Sequence, residues 1–197
     1  MPILCRRNHI NDELFVLDKV KKFSITTKCD CGNQDLNEFF HKDAVYYKED
    51  LLAETYALYL KSKGSRSLGP LAFVALANDT IKLSKSLKRK LISHKKRYIE
   101  EYPAVKIARL GVHKESQRNG LGTHLINLLK ALFTTNNRTG CRFLTIDAYN
   151  RKEVLRFYKK NEFDFLHDED KEEPTRIMFY DLKRFVCGFG AGFGAAS

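Results

Sequence analysis

The 197-residue chain is long enough for one domain with a full hydrophobic core, and its 43 % hydrophobic and 30 % charged residues are ordinary for a globular protein. No apolar run reaches the roughly 20 residues that span a bilayer and no secretory signal opens the chain, which excludes a membrane-spanning protein and predicts a cytoplasmic one. The five cysteines are scattered and odd in number, so we expect free thiols and no metal site. The net charge of +11 favours a polyanionic partner, although a basic composition without such a partner is the simpler alternative.

The first half of the chain predicts a helix between strands. A short apolar run at residues 14–17 predicts the first strand. A helix follows with Asp35 as its N-cap, because the apolar residues after it recur on one face at helical spacing. Residues 54–61 and 69–77 are apolar and partly alternating, which predicts two antiparallel strands joined by a turn-rich loop.

The stretch from residue 81 to 99 is strongly basic. It holds eight Lys or Arg residues and no acid, and leucine recurs every fourth residue at Leu83, Leu87 and Leu91. This pattern predicts a helix with an apolar edge and a basic face. A helix face that is merely solvated usually mixes its charges in i,i+4 pairs, which this stretch does not do.

The second half alternates strands with helices. Strands are predicted at residues 105–112, 141–148, 163–166 and 177–182, and helices at 120–133 and 151–160. This order indicates an α/β domain with a mixed, mostly antiparallel sheet flanked by helices, and we assign it to residues 1–184. Residues 185–197 alternate Gly with Phe and Ala and lack the periodicity of a packed element, which predicts a flexible tail.

A glycine-containing loop, Gln-Arg-Asn-Gly-Leu-Gly, joins a predicted strand to a predicted helix. A helix start has unpaired N–H groups and a partial positive charge, so it is an anion site. Gly120 and Gly122 remove Cβ atoms that would keep a phosphate from the backbone, and Gln117 and Arg118 can add donors. The loop lacks the third glycine of a dinucleotide fingerprint and the Gly-Lys-Ser/Thr of a Walker loop. Glycines placed for packing alone are the alternative.

The motifs around this loop resemble the GCN5-related N-acetyltransferase (GNAT) family. In family order they are Leu110-Gly111-Val112, the loop from Gln117 to Gly122, Asn150, and Phe157-Tyr158. One departure is Glu162, which occupies a turn position where the family usually has glycine. The resemblance implies a GNAT-like fold with a splayed central strand pair, in which the CoA arm lies between the two strands.

The resemblance also implies a set of residues for acetyl-CoA, the acyl-donor substrate. The cofactor-binding set is Leu110, Gly111, Val112, Gln117, Arg118, Asn119, Gly120, Leu121, Gly122, Thr123 and Asn150. Gly111, which has no side chain, is expected to permit close approach of the CoA arm and a bulge in the strand. Asn150 is expected to hydrogen-bond the CoA arm or to cap the next helix. Tyr158 is implied as the acid that protonates the departing thiolate, since an ordinary pKa near 10 keeps it protonated at neutral pH. Tyr158 packing on its helix face is the alternative.

Within the family, the chain looks most like the acetyltransferase toxins of toxin–antitoxin pairs. The likeness lies in Cys31-Gly32 before Leu36-Asn37-Glu38-Phe39-Phe40, in the basic stretch, in residues 102–110 and in the Phe157-Tyr158 pair. It implies transfer to the α-amine of aminoacyl-tRNA and a small antitoxin partner. The side chains expected to meet tRNA phosphates are Lys88, Arg89, Lys90, Lys95, Lys96 and Arg97. A solvated basic helix, or one that attracts only the 3′-phosphate of CoA, is the alternative.

The general base is not evident from the sequence. Glu115, Asp147 and His113 are candidates, but none stands in a distinctive position. This favours an α-amine, with a pKa near 7.7–8.0, over a lysine near 10.4. An acetyltransferase for a small amine or a protein amine, and a non-catalytic CoA- or RNA-binding module, are the alternatives. The sequence leaves the number of subunits open, a homodimer included.

Overall fold

The computed structural model describes residues 4–6, 9–11, 14–21, 29–61, 69–93, 98–135 and 139–190. The strands are β1 (Leu4–Arg6), β2 (His9–Asn11), β3 (Phe15–Lys19), β4 (Glu54–Leu60), β5 (Ala72–Lys82), β6 (Glu101–Val112), β7 (Phe143–Tyr149), β8 (Asp164–Phe165) and β9 (Thr175–Asp181). The helices are α1 (Gln34–Glu38), α2 (Ala44–Glu49), α3 (Lys85–Leu91), α4 (Leu121–Leu132), α5 (Lys152–Lys160) and α6 (Leu182–Gly190). A π-helical turn spans Phe39–Asp43 and a 3-10 turn spans Lys114–Ser116.

The chain divides into two compact units. The first comprises Met1–Ala77 and Ile107–Asn136, and the second comprises Asn78–Lys106 and Asn137–Ser197. Strands β5 and β6 each contribute one part to each unit. The assignment of residues 1–184 to a single domain stays a prediction.

The first unit contains a sheet in the order β1-β2-β3-β4-β5-β6. Pairing is antiparallel from β1 to β5, as between Val16 and Tyr59 or between Thr55 and Ala75. The strands predicted at 14–17, 54–61 and 69–77 are confirmed as β3, β4 and β5, and β5 continues beyond the prediction into the second unit. Strands β1 and β2 had no counterpart in the sequence prediction.

The helix predicted from Asp35 is present, but its cap was assigned to the wrong residue. Asn33 is the N-cap, since its side-chain oxygen accepts a hydrogen bond from the N–H of Leu36 at 3.1 Å. Asn33 has the extended backbone of a cap (φ −130°, ψ 119°), whereas Asp35 lies inside the first turn. The π-helical turn then separates α1 from α2.

The core of the first unit is built around Phe73 on β5. Its ring stacks on that of Phe40, with centroids 4.1 Å apart and planes 11° from parallel. A Cβ added to Gly111 would lie 2.5 Å from one carbon of the Phe73 ring and 3.2 Å from the sulfur of Cys31. Gly111 therefore lets β6 pack directly against the ring. Protein side chains fill the space on the Cβ side of Gly111. The close approach of the CoA arm to its backbone stays a prediction.

The second unit contains the strands β7, β9 and β8, which pair in that order. The first part of β6 pairs parallel with β7, from Ala104 opposite Phe143 to Lys106 opposite Thr145. Strand β9 pairs antiparallel with both β7 and β8. The sheet is thus mixed and mostly antiparallel, as predicted. The splay expected beyond Lys106 involves residues of different units and stays a prediction.

The C-terminal tail was predicted to begin too early. Residues 185–190 continue the helix α6, which begins at Leu182, and residues 191–197 lie outside the described part of the chain. Repeated glycines lower helix propensity, but Leu182 is buried and Arg184 lies over the Tyr180 ring at 4.6 Å. Tertiary packing of the first helical turn therefore outweighs the weak local preference of the segment.

Three of the cysteines, Cys29, Cys31 and Cys141, are free thiols, as predicted. Cys29 and Cys31 are buried and Cys141 is half-buried. Burial raises the pKa of Cys29 to about 12 and that of Cys141 to about 11. These thiols therefore stay protonated at neutral pH, and protonated thiols are poor nucleophiles.

The packing at Gly111 predicts the effect of a single methyl group. Gly111→Ala forces the Phe73 ring or β6 to move, and we expect a loss of about 1–3 kcal/mol in the free energy of unfolding. Chemical denaturation measures this loss. The matched control is Gly140→Ala, because a Cβ at Gly140 meets nothing within 4 Å. Equal stability of the two variants would contradict the packing account.

Candidate active site

The phosphate loop, Gln117 to Gly122, ends in a helix start that no side chain caps. Gly120 is the N-cap of α4, with a left-handed backbone (φ 79°), and makes no side-chain cap hydrogen bond. A Cβ at this glycine would meet nothing within 4 Å, so there is space for a side chain here. The reason for a glycine is therefore the left-handed backbone conformation, which other residues rarely adopt. The first intrahelical hydrogen bond runs from His124 N to Gly120 O at 2.9 Å.

The backbone N–H groups of Leu121, Gly122 and Thr123 precede that bond, so the helix itself gives them no acceptor. The helix dipole adds a partial positive charge at the same point. Arg118 lies exposed one turn earlier, with a left-handed φ of 62°, and Asn119 is exposed beside it. The geometry therefore fits an anionic group, such as a pyrophosphate, at the start of α4.

Gln117 does not add its amide N–H groups to this anion site. Its Nε2 donates to the carbonyl of Cys31 at 2.8 Å and to that of Val112 at 3.0 Å. Both amide hydrogens are therefore engaged inside the protein, and the predicted phosphate contact through them is corrected. Gln117 instead joins the end of β6 to the segment that precedes α1.

The residues Leu110 to Val112 form the end of β6 in the same unit as the phosphate loop. Gly111 is buried, while Leu110 and Val112 are half-buried. The strand leads through the 3-10 turn directly into the loop, so these residues share one unit with every loop residue that was predicted to hold acetyl-CoA. Their contacts with acetyl-CoA stay a prediction.

Tyr158 lies in the second unit, on α5, and its side chain is only 6 % exposed. Its ring makes edge contacts with Phe157 and Phe163, at centroid distances of 5.0 and 5.5 Å. Burial raises the pKa of Tyr158 well above its ordinary value. The hydroxyl therefore keeps its proton throughout the neutral range, which suits a general acid, while the ring contacts match the alternative of a packed aromatic.

Asn150 has a structural role that the sequence did not indicate. Its Nδ2 donates to the carbonyls of Lys171 and Glu173, at 2.7 and 2.9 Å, and its backbone N–H donates to Pro174 at 2.9 Å. The side chain does not cap α5, whose N-cap is Arg151. Both amide hydrogens of Asn150 thus hold the acidic turn before β9, and the predicted donation from them to a CoA arm is corrected.

The basic stretch is divided between strand, helix and residues outside the described part. Ile81 and Lys82 end β5, and α3 begins after Ser84, whose hydroxyl accepts from Leu87 N at 3.3 Å. Arg89 and Lys90 are exposed on α3. Lys95, Lys96 and Arg97 lie outside the described residues.

Lys88 points into its own unit, and the expectation that it binds phosphate is corrected. Its Nζ donates to the carbonyl of Ile99 at 3.1 Å and lies 5.9 Å from the centre of the Tyr102 ring. Arg142 supports the same helix from its C-terminal end by donating to the carbonyl of Leu91 at 2.9 Å. Lys88 therefore helps to fasten α3 to β6.

The base candidates are no more distinctive in the structure than in the sequence. The carboxylate of Asp147 accepts from Lys106 at 2.9 Å, within the second unit. The Nδ1 of His113 accepts from the N–H of Glu115 at 3.4 Å, within the first. Asp147 is thus engaged with a cation, and His113 caps the 3-10 turn.

Two residues that sequence reasoning missed, Asp30 and Lys114, form an ion pair at 2.9 Å beside the phosphate loop. They lie far apart in the sequence, and no spacing rule joins them. The sequence feature nearest to this ion pair was Cys31-Gly32 ahead of α1, which indicated a likeness to the acetyltransferase toxins but no role for Asp30 or Lys114.

Comparison with known proteins identifies the family. The model of the acetyltransferase (GNAT) family matches residues 34–163, which is more than half of the chain. The chain therefore belongs to the GNAT acetyltransferase family, whose members transfer an acetyl group from acetyl-CoA to an amine. The resemblance inferred from the motifs is confirmed, and so is the GNAT fold. Among curated proteins, the comparison found no match.

Solved structures of toxins have the same fold. A tyrosine-to-phenylalanine mutant of KacT is 20 % identical, with a TM-score of 0.71 over 90 % of this chain and 100 % of KacT. A tyrosine-to-phenylalanine mutant of the toxin AtaT, bound to the C-terminus of the antitoxin AtaR, is 18 % identical (TM-score 0.65, 89 % and 96 % covered). AtaT complexed with acetyl-methionyl-tRNAfMet is 19 % identical (TM-score 0.64, 89 % and 99 % covered). At these identities the likeness establishes the fold.

The described residues contain neither a membrane-spanning helix nor a cluster of metal-binding side chains. None of their helices combines the length and the apolar character needed to cross a membrane. Among the same residues, no group of three or more His, Cys, Asp or Glu side chains could hold a metal ion.

The two environments on α3 predict different effects of lysine removal. Lys88→Ala loses a hydrogen bond and a cation–π contact, and we expect a loss of about 1 kcal/mol in the free energy of unfolding. Lys90→Ala, on the exposed side of the same helix, is the matched control and should leave stability within about 0.5 kcal/mol. Thermal and chemical denaturation compare the two. If Lys88→Ala leaves the free energy of unfolding unchanged, the internal role of Lys88 is wrong and its ammonium group is available to bind phosphate.

Proposed function

We propose that this acetyltransferase transfers the acetyl group of acetyl-CoA to the α-amine of an aminoacyl-tRNA in the cytoplasm, as a toxin held in check by a small antitoxin protein. Support comes from the likeness to AtaT, which is known in complex with acetyl-methionyl-tRNAfMet and with part of the antitoxin AtaR. The observation that supports tRNA as the acceptor is the exposed basic pair Arg89 and Lys90, on a helix that contains no acidic residue.

Acetyl-CoA binding is assigned to the first unit. The pyrophosphate accepts from the backbone N–H groups of Leu121, Gly122 and Thr123, with Arg118 available for a further charged contact. The pantetheine arm and the thioester carbonyl are assigned to the end of β6, where backbone N–H groups can stabilise the developing oxyanion. Gln117 supports this arrangement through its bonds to Val112 and Cys31.

Tyr158 acts as the general acid in this proposal. The neutral amine attacks the thioester carbonyl carbon, a C–N bond forms, and the C–S bond breaks. The hydroxyl proton of Tyr158 passes to the departing thiolate sulfur, the amine releases its own proton to solvent, and the tyrosinate regains a proton from solvent before the next turnover. Burial raises the pKa of Tyr158, so its hydroxyl is protonated at neutral pH when the thiolate develops.

The acceptor in this proposal has an amine of low pKa. An α-amino group titrates near 7.7–8.0, so a substantial part of it is neutral at physiological pH without help from an enzyme base. A lysine side chain near 10.4 needs a base to become neutral, and Asp147, one of the candidates, is engaged with Lys106. An aminoacyl ester therefore suits this chain better than a lysine does.

A small-molecule or protein amine is the second candidate acceptor. Two lysines of the basic stretch already have partners within the protein, since Lys88 donates to the carbonyl of Ile99 and Lys82 pairs with Glu101 at 3.2 Å. Fewer cations are then left to bind tRNA phosphates, which favours this acceptor. Labelled acetyl-CoA, supplied with charged tRNA or with free amines, distinguishes the two. Labelling of charged tRNA alone supports the proposal, and labelling of free amines with no labelling of any charged tRNA overturns it.

The same assay tests the basic pair on α3. Removing Arg89 and Lys90 together should raise the KM for charged tRNA several-fold and lower its salt dependence by about one unit of slope per lost phosphate contact. The KM for acetyl-CoA should stay unchanged. Lys160→Ala, at an exposed lysine on α5, is the control. An unchanged salt slope in the double variant would remove α3 from the tRNA interface.

The assignment of Tyr158 predicts a specific kinetic defect. Tyr158→Phe should lower kcat at least about 100-fold, because the thiolate then leaves unprotonated, and should leave the Kd for acetyl-CoA unchanged. Tyr180→Phe is the matched control, since Tyr180 is also buried and its ring also contacts Phe163, at 5.8 Å.

The pH profile gives a second readout for the same residue. A general acid must be protonated, so its raised pKa moves the alkaline fall in kcat upward, beyond about pH 10. Equal turnover by Tyr158→Phe and the wild type would exclude Tyr158 as the acid.

A further inference from the structure

The segment before α1 forms a closed set of hydrogen bonds, which we call the clamp: Asp30, Cys31, Gly32 and Asn37. The Oδ1 of Asp30 accepts from the N–H of Gly32 at 2.9 Å and from the amide of Asn37 at 2.8 Å. The Oδ1 of Asn37 accepts in turn from the N–H and the thiol of Cys31, each at 2.9 Å. Asn37 thus donates through its amide nitrogen and accepts through its amide oxygen within the same set of bonds. Gly32 provides the left-handed turn (φ 70°) that this set of bonds needs.

The clamp is joined to the 3-10 turn that leads into the phosphate loop. The N–H of Lys114 donates to the carbonyl of Asp30 at 2.7 Å, and its Nζ pairs with the Asp30 carboxylate at 2.9 Å. The amide of Gln117 donates to the carbonyl of Cys31 at 2.8 Å. The two ends of the turn, Lys114 and Gln117, are therefore held by adjacent residues of the clamp.

The next residue in the chain, Arg118, has a left-handed backbone, which is unfavourable for an arginine without support from its surroundings. The loop from Arg118 to the start of α4 is exposed and has no side-chain cap. Its shape therefore depends on the residues on either side, which are the turn held by the clamp and the buried first residue of α4, Leu121. A loop already fixed in its binding shape loses less conformational entropy when a ligand binds.

We propose that Asp30 and Asn37 are positioning residues for acetyl-CoA, which fix the phosphate loop through Lys114 and Gln117 without touching the ligand. This inference rests on the proposed assignment of the CoA pyrophosphate to the start of α4. It also gives a role to the Cys31-Gly32 motif and to Asn37, which the catalytic proposal leaves unused.

The sign of the effect separates this role from simple electrostatics. A hydrogen bond from the Lys114 side chain, followed by bonds from the N–H of Gly32 and the side chain of Asn37, holds the pKa of Asp30 well below its usual range. Asp30 therefore carries a negative charge at neutral pH. Removing a negative charge near an anion site should tighten the binding of an anion if only charge matters. Loss of the clamp should weaken binding instead, because the loop must then be ordered by the ligand.

The test uses CoA itself as the probe, with Asp30→Ala and Asn37→Ala measured by calorimetry. We expect each variant to raise the Kd for CoA about tenfold, with a smaller further rise in the double variant, because both residues act through one set of bonds. The kcat at saturating acetyl-CoA should stay within about twofold of the wild type. Asp50→Ala, at an exposed acidic residue of the same unit, is the matched control.

Each other outcome contradicts a defined part of the account. An unchanged or lower Kd in folded Asp30→Ala overturns the positioning role. A fall in kcat with an unchanged Kd also overturns it, because the effect then lies on the chemical step and not on CoA binding. If Asp30→Ala does not fold, Asn37→Ala decides alone, since it leaves the ion pair to Lys114 in place. If the wild type itself binds no CoA, the assignment of the phosphate loop fails together with the inference.

Discussion

The contact between the backbone of β6 at Gly111 and the ring of Phe73 is the constraint on which the first unit depends. The ring leaves no space for a side chain at Gly111, and it also stacks on Phe40 of the π-helical turn. The strand proposed to receive the thioester is therefore fastened to the helical segment that follows the clamp. The packing of Phe73 and Cys31 against this position is therefore enough to require a glycine at residue 111.

The same unit then relies on bonds that converge on the phosphate loop. Gln117 uses both amide hydrogens within the protein, and Lys114 is held by Asp30 through main chain and side chain. The anion site itself is left to backbone N–H groups at the start of α4 and to Arg118. Side chains near the loop thus mainly fix its shape, and the backbone supplies the donors.

Local patterns predicted most elements of the fold, and long-range partners explain what was missed. Residues 105–112 and 120–133 were predicted well because alternation and helical periodicity are local. The roles of Lys88 and Asn150 were wrong because their partners, Ile99 and the turn at Lys171 and Glu173, cannot be read from neighbouring sequence. Glu162, where the family usually has glycine, has a φ of 68°, so the family pattern predicted the turn although the residue differs.

The central claim is that the start of α4 holds the CoA pyrophosphate through its backbone N–H groups. The most direct measurement is a crystal structure of the complex with acetyl-CoA, with the distances from the pyrophosphate oxygens to the backbone N atoms of Leu121, Gly122 and Thr123. We expect these distances to lie in the hydrogen-bonding range of about 2.7–3.2 Å. A pyrophosphate bound elsewhere on the protein would contradict the claim.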